Sequence, residues 1–214
     1  MLRGMAVELK SHAPFTLLGA LSGIVLMAIL LLSKVPPENL KPIFESFHAV
    51  HILLSAIVTT ALYRRYRSGL VGAVLVGFTG AVGVATLSDI IFPHHGGALL
   101  LALTGSEQTM HHIHLSFIHE WWIINPVALL GVAFGLARPR TKLPHAGHVL
   151  LSTWASLFYL VSHAEMGTRW LPRTPLVLVV LFAAVWLPCC VSDIMWPMVL
   201  VGKHPDEIAE EEHE

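Results

Sequence analysis

The sequence predicts an all-α integral membrane protein. Its six transmembrane helices form two inverted three-helix repeats, with a short interfacial or re-entrant segment between helices 3 and 4. Three observations lead there. The 214 residues are 55% hydrophobic and only 13% charged, about half the charged fraction of a soluble domain. Six apolar runs approach the roughly 20 residues that a spanning helix needs. Two polar motifs occur twice, once in each half of the chain.

The spans follow in order. The N-terminus, "MLRGMAVELKSHAP", lacks the apolar core and cleavage site of a signal peptide, so the first run, 13–33, is expected to stay in the membrane. The second run, 47–63, opens on "HAVHILLS". The third, 69–92, carries Gly77, Gly80 and Gly83, which permit close helix approach, and it closes on "SDIIFP". The fourth covers 121–137. The fifth, 147–163, begins within "HAGHVLLS", and the sixth, 175–201, contains "SDIMWP". Pro188 should kink the sixth just before Cys189, Cys190 and Asp193. Trp121, Trp122 and Trp170 suit an aromatic belt at the headgroups. No strand-like alternation suggests a barrel.

The repeat defines the organisation. Residues 1–93 form one three-helix unit and residues 121–202 the other, separated by a His-rich segment, 94–120, and followed by an acidic tail, 203–214. "HAVHILLS" and "HAGHVLLS" agree at six of eight positions. Three helices per repeat is odd, so the second copy enters the membrane inverted. One side of a six-span chain would carry Arg3, Lys10, Arg64, Arg65, Arg67, Arg138, Arg140, Lys142 and Lys203; the other would carry Lys34, Lys41, Arg169 and Arg173. The excess of positive charge places both termini in the cytoplasm and residues 94–120 outside.

The matching residues are mostly polar, and they suggest the chemistry. His48, His51 and Ser55 share one helix face, as do His145, His148 and Ser152. Each imidazole pair is expected at the level of a carboxylate, Asp89 or Asp193, with Ser88 or Ser192 beside it. Two imidazoles and a carboxylate make three ligands of a metal site. Expected sites are therefore His48, His51 and Asp89 on the outer side, and His145, His148 and Asp193 on the inner side. Nitrogen and oxygen donors suit a divalent transition metal, with zinc, iron or manganese foremost. The segment 94–120 holds His94, His95, His111, His112, His114 and His119 with no Lys or Arg. These histidines, with His163, are further candidate ligands. "HHGG" reads as a turn, and Ser106 as the cap of a helix through "EQTMHHIHLSFIHE".

A metal ion transporter or channel accounts for most of these features. An intramembrane metalloenzyme, such as a His-cluster oxidase, hydroxylase or hydrolase, would use the outer histidines with Asp89, Glu107 and Glu120. A haem b subunit would use two axial histidines, for example His51 and His163. The expected partners are the lipid bilayer and a metal ion, with a homo-oligomer compatible. A formal net charge of −1 disfavours nucleic acid.

Overall fold

The computed structural model describes residues 2–138, 145–164, 167–190, 196 and 200, and among these it is all-helical with no strand. In chain order, α1 is Leu2–Leu32, α2 is Pro37–Tyr66 and α3 is Leu70–Thr86. A π-helical turn, Leu87–Ile91, joins α3 to α4, Phe92–Leu103. One short turn of helix, α5, Ser116–His119, precedes α6, Trp121–Ala137. Then come α7, His145–Ser162, a 3-10 segment, Gly167–Arg173, and α8, Thr174–Cys190. Among the described residues, four helices are long and apolar enough to cross a membrane: Ala13–Leu32, Pro37–Tyr66, Leu70–Leu103 and Arg169–Pro188. Two apolar helices are shorter, Trp121–Ala137 and Gly147–Ser162.

Several element boundaries differ from the sequence expectation. α2 starts at Pro37 rather than at residue 47, with proline in its first turn and Glu38 beside it. Proline fits there because the first N–H groups of a helix have no partner inside it. His51 therefore lies half-way along the 30 residues of α2 instead of near an end. There is no turn at "HHGG": residues 92–103 continue the third helix. Its glycines serve packing instead. A Cβ on Gly96 would meet Val180 of α8 at 2.5 Å, and one on Gly97 would meet Leu160 of α7 at 2.5 Å. The helix stops at Gly105, which has φ +61. Its N–H bonds the Ala102 carbonyl at 3.2 Å and the Ser106 N–H bonds the Leu101 carbonyl at 3.0 Å, a glycine-terminated helix end.

The helix expected after Ser106 forms only at Ser116–His119. Residues 106–115 spend backbone donors on the bundle. The His111 N–H bonds the His163 carbonyl at 2.9 Å, and the His114 N–H bonds the Tyr159 hydroxyl oxygen at 3.4 Å. Tertiary partners thus hold an extended loop across the end of α7. The helix-face grouping of these histidines goes with the helix. Trp170, expected at the interface, is fully buried, whereas Trp121 and Trp122 are exposed.

Two apolar clusters hold the bundle. The larger joins α1, α4, α7 and α8 with the start of α2, through Met27, Phe44, Leu100, Leu157, Tyr159 and Leu181. The other joins α2, α3 and α6 through Ile52, Ala56, Ala81, Ala85, Ala128 and Val132. α6 comes close enough that a Cβ on Gly131 would lie 2.6 Å from the Leu53 carbonyl oxygen, and one on Gly135 2.7 Å from that of Ile57. This is small-residue packing backbone to backbone. Gly77 and Gly80 also meet neighbours, but Gly83 faces open space. The exterior carries Leu18, Val25, Leu32, Val71 and Val179 exposed, while His48, His51, Thr59, Thr60, Ser88, Asp89 and Ser152 lie inside. That distribution suits a lipid solvent.

Candidate functional site

The bundle gathers one buried polar centre from α2, the π-helical turn and α7. The turn is built by Pro93. Proline has no N–H to return to Asp89, and the Phe92 N–H reaches back to the Leu87 carbonyl instead. Single π turns of this kind recur at functional sites. Here the turn leaves the Ser88 carbonyl without its usual helical partner, and the Ser156 hydroxyl of α7 lies 2.9 Å from it. The Asp89 side chain is held facing α2 and α7.

Asp89 is the hub. Its Oδ2 lies 2.9 Å from His48 Nδ1 and 2.7 Å from His51 Nδ1. Its Oδ1 accepts hydrogen bonds from Ser88 Oγ at 2.7 Å and Ser152 Oγ at 2.8 Å. His51 Nε2 then meets His148 Nε2 at 2.6 Å. Exposure is 0% for His48 and Asp89, 1% for His51 and 5% for His148. Ser55 is buried on the same helix as the pair. His48 stacks on Phe44, and its Nε2 is buried with no hydrogen-bond partner.

This geometry changes two expectations. Asp89 was expected as a ligand beside the imidazoles. A carboxylate offers about four lone-pair positions, and all four are taken by the two imidazoles and two hydroxyls. Asp89 therefore orients the rings. With Nδ1–H donating to Asp89, each ring turns its basic Nε2 away, the arrangement typical of metal-ligating histidines. The two histidine pairs were also expected at opposite sides of the membrane. Instead His51 and His148 touch, because α2 extends well beyond its histidines and its middle crosses the start of α7. The side chain of His145 and all of Ser192 and Asp193 lie outside the described residues, as do the side chains of Cys189 and Cys190.

A second cluster lies at the end of the bundle where the loop 104–115 crosses. His114 Nε2 is 2.9 and 2.8 Å from the two Glu120 oxygens and 3.5 Å from Glu45 Oε1. Ser116 Oγ donates to Glu45 Oε1 at 3.2 Å. Each residue can offer one ligand atom such that all lie within 4.8 Å of one another. Burial pushes the His114 imidazole below its ordinary pKa, while Glu120 pulls it upward. His119 stacks on His114 with ring centres 4.4 Å apart, and His163 faces it at 6.2 Å. His163 itself stacks on Tyr159.

Four further histidines line a separate hollow. His94, His95, His111 and His112 enclose a cavity of about 570 Å³ with Thr109, Met110 and Ile113. His94 Nδ1 also lies 3.3 Å from the Tyr159 hydroxyl.

Sequence reasoning missed Glu45. It lay outside the expected second span, so its spacing with His48 and His51 on one helix was not considered. The run E-x-x-H-x-x-H within a helix beginning at Pro37 is the signal that would have found it. No protein-family model, curated protein or solved structure matches the chain.

Proposed function

We propose that this chain is a polytopic membrane protein that carries a divalent transition-metal ion through its helix bundle, with zinc, iron or manganese the best-suited cargo. One observation carries the reading. A carboxylate-oriented set of imidazoles is buried half-way along a membrane-length helix, where an ionisable group is costly unless it works. His51 Nε2 and His148 Nε2 are the ligand pair, and His48 Nε2 is a further free donor. Ligands about 2.1 Å from a tetrahedral ion lie about 3.4 Å apart, so His51 and His148 part by about 0.8 Å to admit one. Without an ion, two nitrogens 2.6 Å apart must share a proton. An ion on both Nε2 atoms displaces that proton, which a neutral ring holds on Nδ1 instead.

Six spans in two inverted repeats complete the proposal. His51 and His148 occupy equivalent places in the two repeated motifs, and equivalent residues meet where a two-fold axis passes. The packing follows the same exchange: α2 lies on α6 as α1 lies on α7, and α3 contacts α6 as α1 contacts α8. The charge distribution supports cytoplasmic termini and an external loop at 104–120.

A metalloenzyme is the second reading, favoured by the partly open Glu45, His114 and Glu120 cluster. A haem between His51 and His163 fits less well, because His148 already occupies the Nε2 face of His51. The test is metal flux. Sealed liposomes holding purified protein and an internal zinc- or manganese-sensitive dye should fill faster than empty liposomes under an imposed gradient. His51→Ala should abolish the difference. No wild-type flux for any of zinc, manganese and ferrous iron would overturn the transport reading.

A further inference from the structure

We infer that Glu45, His114 and Glu120 form a separate cation-loading site, and that Glu45 hands the ion to His48. The inference rests on the transport reading for the handover, though not for the binding. The cluster combines two carboxylates with an imidazole, a donor set that suits zinc, manganese or ferrous iron. His114 Nε2 and Glu45 Oε1 are 3.5 Å apart, close to the ~3.4 Å edge of a tetrahedral zinc site. Glu120 now spans His114 with both oxygens, and one small side-chain rotation would free an oxygen for an ion.

Three further features point the same way. First, the ligands are reachable. Side-chain exposure is 15% for His114, 18% for Glu45 and 20% for Glu120, whereas the Asp89 centre is closed. An ion entering from this end of the bundle meets the outer cluster before the inner one. Second, the ligands are held. Ser116 fixes Glu45 through Oε1, and the His114 backbone is tied to Tyr159 of α7. Third, the outer and inner groups are adjacent on one helix. Glu45 and His48 are one turn apart on α2 and share a face. Glu45 Oε2 and His48 Nε2 are both buried without a hydrogen-bond partner. An unpaired oxygen and an unpaired nitrogen, one turn apart, are costly in an apolar bundle unless something passes between them. Glu45 thus offers Oε1 to the loading site and Oε2 to the buried centre.

The experiment is equilibrium dialysis of the full-length protein in detergent against zinc, with elemental analysis, alongside flux in liposomes. Wild type should bind two ions per chain. His114→Ala and the milder Glu120→Gln should each weaken one of the two by about tenfold or more, the loss seen even for outer-shell partners. They should slow flux at limiting zinc and restore it at high zinc. Glu45→Gln should keep the inner site and slow flux at every zinc concentration. His51→Ala should lose the inner ion and keep the outer one. Unaltered binding and flux in both the His114 and Glu120 variants would overturn the loading site while leaving transport standing. Two-site binding with the expected variant losses but no wild-type flux would overturn the transport reading and the handover, and keep the site. A Glu45→Gln protein with wild-type flux would overturn the handover.

Discussion

Asp89→Asn tests the roles at the buried centre most directly. The substitution preserves shape. The amide oxygen can still accept from His48 and His51, and the amide nitrogen can donate to Ser88 and Ser152, whose hydroxyls accept as readily as they donate. What disappears is the charge. A hydrogen bond to a charged partner contributes about 1.5–3 kcal/mol and a neutral one about 0.5–1.5. Two imidazole bonds each weakened by about 1 kcal/mol give a loss of about 2 kcal/mol. That corresponds to about a 30-fold fall in metal affinity, since 1.4 kcal/mol is tenfold. It lies inside the 10–100-fold range for losing a partner behind a metal-ligating histidine. The assay is zinc titration by calorimetry in detergent, with thermal unfolding of the apo-protein as a check on folding. Asp89→Ala is the contrast. It leaves two imidazole N–H groups without their acceptor in a fully buried site, and should unfold at clearly lower temperature. An Asn variant with wild-type zinc affinity would refute the orienting role. An Asn variant whose affinity falls by many orders of magnitude would also refute it, by making Asp89 a direct ligand.

Other outcomes follow from the same coordinates. His148→Ala removes one of the two facing Nε2 donors and should lower zinc affinity by more than the 10–100-fold that losing an outer-shell partner costs, measured by the same calorimetry. Gly131→Ala places a methyl group 2.6 Å from the Leu53 carbonyl oxygen and 2.7 Å from Ala56 Cβ. It should destabilise by about 1–3 kcal/mol in thermal or denaturant unfolding. Gly83→Ala meets nothing within 4 Å and should be neutral or stabilising, by up to about 1 kcal/mol of helix propensity. A cysteine placed at position 107 of a protein otherwise lacking cysteine should react with an impermeant maleimide from outside the cell only. Reaction from the cytoplasmic side alone would reverse the proposed orientation.

Much of this protein was legible before any coordinates. Composition alone announces apolar helices, because a chain this poor in charge has few ways to satisfy its backbone except within helices. Most residues at the Asp89 centre were visible too, Ser156 and Phe44 excepted. His48, His51, Ser88, Asp89, His148 and Ser152 stand out as polar side chains in apolar runs, whatever helix boundary is drawn around them. Their identities are local facts. Glu45 was hidden by a boundary: charged residues after Pro37 resemble a loop until packing shows them helical. The loop histidines were misgrouped for the opposite reason, since "EQTMHHIHLSFIHE" reads as a helix and its backbone donors are taken by His163 and Tyr159 instead. What only the tertiary structure decided was depth and pairing. That His51 meets His148 and not a histidine of its own helix depends on how far α6 and α7 sink toward α2. The glycines at 131 and 135 set the approach of α6. That both Asp89 oxygens are engaged, by two imidazoles and two hydroxyls, depends on a π turn and on Ser88 and Ser152. Spacing along a chain specifies which side chains share a face, whereas distances between helices are set by the packing of every residue in between.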